Sequence, residues 1–395
     1  MSTHTKMELF NLFTSRSQDC PLDIKMEIHD GVGQLLRLDG ADPAQDEDAA
    51  RLEFVQVWTT ALVAHISRWR AFHLDVPFED DLRRVVVQLA GLCAPQLESF
   101  GITVLHDVVE SIADIPVPWR ILSVPSLRSL SISQYRITNI SQIGFRLVRL
   151  TANCHDCYLE YLNACPNLHS AQLSFVAPLT TQHGPFTHGT LQELDIIFQA
   201  RKTPWSNIIH IFNSLLLPSL TKLKLDLSFS QRGLPVSFVH LIQSPTLFPQ
   251  LKSLSIEIYP QYKTAHDYNA KRYTRHFSHL LALLKGMPTI DYLQLTFVLQ
   301  MKELFVSLGD GNLPNLRTLR FEQCGNASGI GNELVEMLEA RKQKQAVIPI
   351  QNLEIRYCPV LSRVDYDERI RQLVPNLLWL SYRSEWDETS EEEGA

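Results

Sequence analysis

One stretch of twelve residues, Leu313 to Cys324 (LPNLRTLRFEQC), constrains the fold more than any other part of the chain. Its apolar residues follow the spacing L-x-x-L-x-L at Leu316, Leu319 and Phe321, and Cys324 comes three residues after Phe321. Successive side chains of a β-strand alternate between its two faces, so Leu319 and Phe321 point to the same side. One strand of this kind buries too little apolar surface to fold alone. The chain must therefore contain further copies of the unit.

The same unit recurs along the sequence, usually introduced by Pro-x-Leu or Pro-x-Ile. Proline ends a preceding helix and biases its neighbour toward extended geometry, which suits the start of a strand. The units with this proline begin at Pro95, Pro125, Pro166, Pro218, Pro249, Pro288, Pro314 and Pro375. Further units without it fall at 147–152, 191–196 and 350–355. The positions equivalent to Leu319 are then Phe72, Phe100, Leu130, Leu150, Ala171, Leu194, Leu223, Leu254, Leu293, Leu353 and Leu380.

Between these strands the sequence supplies helical segments. Residues 82–93, 158–164, 205–217, 275–285 and 332–344 carry apolar side chains three or four positions apart, the period of an amphipathic helix. Alternating strands and helices with right-handed crossovers place the strands side by side in a parallel sheet. The pattern, with steps of about 20 to about 39 residues, predicts an α/β fold, an irregular leucine-rich-repeat solenoid. Its curved parallel sheet would form the concave side and its helices the convex side.

The N-terminal part has a different order of elements. The pattern predicts a helix over 7–17, a strand over 21–28, an acidic exposed loop over 39–48 and a helix over 51–69 that leads into the strand WRAFHL. We therefore expect a cap over residues 1–75, a repeat region over 76–384 and a disordered acidic tail over 385–395.

Several short motifs resemble those of fungal F-box proteins with irregular leucine-rich repeats. They are Cys20-Pro21-Leu22-Asp23-Ile24, the segment His65 to Arg70 (HISRWR) and the Pro-x-Leu units. The resemblance implies substrate recognition for a cullin-type (SCF-like) ubiquitin ligase. No segment here resembles the F-box itself with its L-P-x-E opening, so binding to the ligase adaptor would need an F-box upstream. The alternative is an F-box-less leucine-rich-repeat scaffold or regulatory protein with no link to ubiquitin ligation.

The bulk composition narrows the class of partner. A formal net charge of -7 disfavours non-specific binding to nucleic acid or anionic membrane. No apolar signal core and no run of about 18 apolar residues is present, and seven irregularly spaced cysteines do not suggest a disulfide framework. We expect an intracellular protein, cytoplasmic or nuclear, with reduced thiols, monomeric on its own, whose partner is a protein.

Two segments have chemistry that a function could use. Cys154-His155-Asp156-Cys157, with Cys165 beyond, resembles a zinc site, but it is short of a complete ligand set, and a turn with packed thiols is the favoured interpretation. Cations and tyrosines are mixed in Tyr259 to His276, a composition that can also bind single-stranded nucleic acid. Because this stretch occupies the longest gap between strands, an insertion loop with a solvated charged face is the favoured interpretation, and a protein-contact loop ranks above a nucleic-acid site. No nucleophile motif, phosphate loop or HExxH motif occurs, so we expect neither an enzyme nor a cofactor.

Specificity should reside in the residues between the buried positions of each strand, because these face away from the core. In the earlier repeats they are small and polar, whereas later ones are larger and charged. Tyrosine, tryptophan and arginine are enriched at interface hot spots. The predicted partner-binding residues are Lys222, Lys224, Tyr292, Arg320, Arg356, Trp379 and Arg383. Two alternatives stay open: a solvated sheet face, and a terminal cap that includes Trp379.

Overall fold

The computed structural model describes the chain over 3–28, 43–89, 91–104, 123–133, 140–154, 158–175, 185–198, 205–226, 248–257, 280–296, 301–324, 331–358 and 363–380. The chain divides into two compact units, Met1–Ser174 and Phe175–Ala395. The boundaries expected near residues 75 and 384 stay a prediction.

The first unit contains α1 (Thr3–Arg16), α2 (Pro43–Val63), α3 (Glu79–Leu89) and α4 (Tyr158–Ala164). Its strands are β1 (Leu22–Glu27), β2 (Trp69–Val76), β3 (Ser99–Val104), β4 (Ser129–Ile132), β5 (Arg149–Cys154) and β6 (Ser170–Phe175), whose last residue opens the second unit. They hydrogen bond in chain order, and the pairs from β1 to β5 are parallel. Strands β1 and β2 thus join the same sheet as the repeats that follow.

The second unit contains α5 (Trp205–Ser214), a helical segment over 280–285, α6 (Met301–Gly309), α7 (Gly331–Gln343) and α8 (Arg363–Leu373). Two short strands, β7 (Phe186–Thr187) and β9 (Leu215–Leu216), pair with each other. The main strands are β8 (Glu193–Phe198), β10 (Lys222–Asp226), β11 (Ser253–Glu257), β12 (Tyr292–Thr296), β13 (Thr318–Glu322), β14 (Asn352–Arg356) and β15 (Asn376–Leu380), all parallel and in this order.

Apolar side chains in register across neighbouring strands form the core of each unit. In the second unit Leu223, Leu254, Leu293, Leu319 and Leu353 are successive Cα partners, and all are buried. Fully burying such a leucine contributes about 1.5–3 kcal/mol. The first unit has the same row, built from Phe72, Phe100, Leu130 and Leu150. The predicted core position of every unit from Phe72 to Leu353 is thereby confirmed.

A tight turn precedes most strands and explains the recurring proline. The amide of Leu316 donates to the carbonyl of Leu313 at 3.0 Å, and Leu97, Leu127, Leu168, Leu220, Leu251 and Ile290 make the same bond to the residue three positions earlier. Proline is favoured at the second position of a β-turn closed in this way, because its fixed φ matches the turn. The proline therefore shapes the turn itself, in addition to ending the helix before it.

In several units, the residue directly before the first apolar residue of the L-x-x-L-x-L spacing connects the unit to its neighbour. Where the unit has a turn proline, this is the residue after that proline. Its side chain donates to a backbone carbonyl in the preceding turn, as when Asn315 bonds the carbonyl of Pro288 at 2.9 Å. We call these bonds the turn ladder. Its members are Ser126 to Pro95 (2.7 Å), Arg146 to Pro125 (3.0 Å), Asn167 to Phe145 (2.7 Å), Ser219 to Gly189 (2.6 Å), Thr289 to Leu251 (2.7 Å) and Asn315 to Pro288. Each bond joins only adjacent turns.

Two predicted boundaries were wrong. Helix α2 begins at Pro43, so part of the segment predicted as an acidic loop is helical. Proline is well tolerated at the first position of a helix, where its missing N–H has no partner to lose. The helix also ends at Val63, and the chain passes through a short 3₁₀ turn, Ile66–Arg68, before Trp69 opens β2.

The last strand was predicted in the wrong register. Leu377 pairs with Leu353 and Trp379 pairs with Ile355, so Trp379 lies on the core side and is only 5% exposed. Leu380, predicted as the core residue, lies on the opposite face. Pro375 directly precedes β15 and is not the turn proline, and buried Val374 starts the L-x-x-L-x-L spacing instead.

Candidate functional site

The outward face of the second unit carries three rows of side chains, set by strand register. One row runs through Lys222, Ser253, Tyr292, Thr318 and Asn352, and a second through Lys224, Ser255, Gln294, Arg320 and Glu354. The third runs through Asp226, Glu257, Thr296, Glu322 and Arg356. Five of the seven predicted partner-binding residues therefore lie on this one face. They are Lys222, Lys224, Tyr292, Arg320 and Arg356.

Four charged residues on β13 and β14 form a quartet joined by three ion pairs. Arg320 lies 2.7 Å from Glu322 on its own strand and 3.8 Å from Glu354 on the next. Arg356 lies 3.0 Å from Glu354, and the Cα partner of Arg356 is Glu322. All four side chains are less than a third exposed, so the ion pairs are less screened than at a fully solvated surface. Two positive and two negative charges are thus held in a fixed pattern.

Tyr292 lies beside this quartet on β12. Its hydroxyl donates to the side-chain carbonyl of Gln294 at 3.1 Å. Partial burial raises the pKa of Tyr292, and nearby Arg320 opposes that shift. The phenol is therefore neutral and remains a hydrogen-bond donor at neutral pH. A tyrosine beside two arginines is a combination enriched in protein interfaces.

The two predicted lysines lie nearer the start of the unit and are paired with acids. Lys222 bonds Glu193 on β8, and Lys224 lies 3.9 Å from Asp195 and 3.6 Å from Glu257. Burial raises the pKa of Asp195 to about 6, while Lys224 lowers it. This part of the face is mixed in charge, and neither lysine presents an isolated cation.

Glu193 and Asp195 were not singled out from the sequence. They occupy in LQELDI the positions that Lys222 and Lys224 occupy in their own repeat, and they are the direct register partners of those lysines. Aligning the two repeats would have revealed both pairs.

The face ends in two exposed apolar side chains on β15. Leu378 is in register with Glu354 and is 40% exposed, and Leu380 is in register with Arg356 and is 37% exposed. We call Tyr292, Arg320, Glu322, Glu354, Arg356, Leu378 and Leu380 the β12–β15 patch.

Trp379 lies behind it in the core, which corrects its prediction as a contact residue and agrees with the alternative of a terminal cap. Arg383 lies outside the described residues.

The cysteines of the opening motif shape turns. The thiol of Cys324 donates to the carbonyl of Leu295 at 3.2 Å, and the amide of Cys324 donates to the sulfur of Cys358 at 3.4 Å. The residues just before them, Gln323 and Tyr357, share a left-handed backbone with φ of 51° and 54°. Hydrogen bonds from Cys324 lower the pKa of Cys358. The predicted turn role of Cys324 and Cys358 agrees with these contacts.

The other candidate chemistry can be placed only in part. Cys154 and Cys165 are buried, and burial raises the pKa of Cys165 to about 12, so that thiol stays protonated. His155, Asp156, Cys157 and the segment Tyr259 to His276 lie outside the described residues. Over the part of the chain that the structure describes, no three His, Cys, Asp or Glu side chains are grouped as metal ligands.

Comparison with known proteins adds no family to this picture. No family model matches the chain, and no curated protein matches it. Among the described helices, none combines the length and the apolar character that crossing a membrane requires.

Proposed function

We propose that this chain is a protein-recognition module with a leucine-rich-repeat-like solenoid fold, and that it binds its partner through the β12–β15 patch. The observation that carries the proposal is the grouping of Tyr292, Arg320 and Arg356 beside exposed Leu378 and Leu380 on one sheet face. Aromatic, guanidinium and apolar groups in one place supply the contacts that dominate most interfaces.

The repeated local geometry supports the solenoid part of the proposal. Most turns are closed by the same backbone bond, and six of the described turns are joined to the turn before them by the turn ladder. In a repeat protein each unit contacts its neighbours in one conserved way. Parallel strands in chain order follow from the same rule.

The size of the face suits a segment of a partner protein. With strands about 4.8 Å apart and residues about 3.3 Å apart, the face from β8 to β15 spans roughly 29 Å by roughly 17 Å. Its projected area of roughly 490 Å² is below the about 800 Å² that each partner buries in a standard interface. We therefore propose that an extended or helical segment of the partner occupies it.

A charge swap tests the binding surface without removing its ion pairs. Reversing all four charges of the quartet (Arg320→Glu, Glu322→Arg, Glu354→Arg and Arg356→Glu) keeps a cation opposite an anion in every ion pair but reverses the pattern that a partner meets. Recovery of the protein partner by the tagged full chain should fall at least about fivefold, because complementary charges turn into like charges. The matched control exchanges Arg70 and Asp23, an exposed pair of the first unit. Equal recovery by both swapped variants would refute the proposed surface.

The more specific role that we propose is substrate recognition for a cullin-type ubiquitin ligase, and it rests on the F-box resemblance. If it is right, the full-length gene product should recover the ligase adaptor together with the partner, and the partner should carry ubiquitin. Recovery of the partner with neither adaptor nor ubiquitin would favour the alternative role, a scaffold without a ligase.

A further inference from the structure

The first unit has a group of exposed cations near the start of three neighbouring strands, β4, β5 and β6. Arg128 ends the turn before β4, Arg149 opens β5, and the amide of Arg149 donates to the carbonyl of Arg128 at 3.1 Å. His169 stands just before β6, and its amide donates to the carbonyl of Val148 at 2.9 Å. All three side chains are exposed. Strand order thus brings them together at one edge of the sheet.

These arginines have no carboxylate within ion-pair distance among the residues that the structure describes. In the second unit Lys224 and Arg320, which lie further along their strands, are within 4 Å of an acidic side chain. Glu98 is the nearest acid along the same edge, where its carbonyl accepts from the amide of Arg128, and its side chain forms no ion pair with that arginine. An excess of positive charge therefore remains in a chain whose net charge is -7.

An exposed aromatic residue in the turn before β5 contacts a further cation of the first unit, Arg146. Phe145 is 49% exposed, and the guanidinium of Arg146 lies over its ring at 4.8 Å from the centroid. Arg146 is held there because it also donates to the carbonyl of Pro125, and Asn167 fixes the backbone by donating to the carbonyl of Phe145. Cation–π contact and hydrogen bonding hold this pair in one conformation, so little side-chain entropy would be lost on binding.

We propose that Arg128, Arg146, Arg149, His169 and Phe145 form a second docking surface, which binds an acidic peptide segment of a partner protein. Arginine guanidinium groups donate paired hydrogen bonds to carboxylates, and Phe145 offers an apolar contact. The surface is independent of the β12–β15 patch, so either can fail without the other. The acidic character of the peptide follows from charge complementarity, because Arg128 and Arg149 have no carboxylate within ion-pair distance among the described residues, whereas both arginines of the β12–β15 patch are paired.

Fluorescence anisotropy with the full chain tests this. The probes are two labelled ten-residue peptides, alternating Glu-Gly and alternating Lys-Gly, titrated at about 50 and about 200 mM NaCl, a range over which surface charges become more screened. The acidic peptide should bind, and its affinity should fall about tenfold or more in the Arg128→Gln/Arg149→Gln variant and at least about threefold in Phe145→Ser. Arg317→Gln is the matched control, since Arg317 is exposed at the same position before β13. It should stay within about twofold of the wild type.

Several results would overturn the proposal. The first is that the acidic peptide does not bind at about 1 mM, and the second is that both peptides bind equally well. The third is that Arg317→Gln weakens binding as much as Arg128→Gln/Arg149→Gln does, which would indicate only a general effect of net charge. Displacement of the bound peptide by an equimolar single-stranded RNA of ten nucleotides would also overturn it, because the surface would then prefer nucleic acid. Circular dichroism of each variant confirms that the fold is retained.

Discussion

Arg341 on α7 is fully buried, and its replacement gives the sharpest test of how the second unit is held together. Its side chain is 0% exposed and donates to five backbone carbonyls, at 3.0 to 3.4 Å. The acceptors belong to Leu308, Asn312, Leu313, Leu316 and Ile348. Burial lowers the pKa of Arg341 to about 10, which still leaves the guanidinium charged at neutral pH. One cation thus joins α6, the turn before β13 and the segment before β14.

The decrease in the free energy of unfolding for Arg341→Met depends on how many of the five carbonyls are left without a hydrogen-bond donor. Those of Leu308 and Leu313 keep a backbone donor, from Gly311 and Leu316. The other three have no second donor among the described residues. Leaving a buried carbonyl unsatisfied costs about 1–3 kcal/mol. The contacts to Asn312 and Ile348 are only partly buried and the buried contact to Leu316 is long, so we expect a loss of about 2–4 kcal/mol. That is a large part of the about 5–15 kcal/mol that stabilises a typical domain.

Hydrogen exchange with mass spectrometry measures this loss locally. The free energy of opening should fall in peptides covering α6 and residues 310–316, while peptides from β2 to β5 in the first unit serve as an internal reference. Lys344→Met is the matched control: Lys344 is exposed and makes one bond, to the carbonyl of Gly309 at 2.7 Å, so its loss should cost less than about 1 kcal/mol. A loss below about 1 kcal/mol for Arg341→Met would refute the reasoning.

Three further predictions concern stability. Burial holds the folded pKa of Asp195 at about 6, above the ordinary aspartate value of 3.8, so the folded state holds its proton more tightly, and stability is lost as pH rises from about 4 to about 6. The free energy of unfolding of Asp195→Asn, relative to that of the wild type, should therefore rise by up to about 3 kcal/mol between pH 3.5 and pH 7.5. If thermal denaturation gives the same difference between variant and wild type at both pH values, the prediction is wrong. Gly144→Ala should cost about 1–3 kcal/mol in urea unfolding, because a Cβ there would lie 2.3 Å from a backbone carbonyl oxygen, whereas Gly189→Ala meets nothing within 4 Å. Asn315→Ala should lower the free energy of unfolding by about 1 kcal/mol, because it removes a turn-ladder bond. Gln250→Ala, at the same position of another repeat, should lower it by less. Equal decreases for the two variants would argue against the turn ladder.

The sequence predicted strands well because its signal was simple. Alternation around Leu319 and Phe321 repeats with the period of a strand, and the buried rows confirm it from Phe72 to Leu353. The same rule failed at β15 because Pro375 imitates the turn proline. Only the three-dimensional pairing with β14 shows which alternate residue of β15 is buried.

The candidate site was predictable in part for a related reason. Which residues face outward follows from alternation, so Tyr292, Arg320 and Arg356 were found. Their ion pairs depend on which strands are neighbours, as Glu354 with Arg320 shows. The cations at Arg128 and Arg149 escaped attention because each stands alone in its own repeat, and only strand register brings the two together.

The turn ladder has a consequence for how the chain comes apart. Since each of its bonds reaches only the adjacent turn, breaking one leaves the others intact. Under gradual force or mild denaturant, the repeats should therefore unfold one at a time from an end, through intermediates in which the remaining repeats are still folded. The chain could also lengthen by whole units during evolution, because an added unit would contain both the side-chain donor for the turn before it and the carbonyl acceptor for the turn after it.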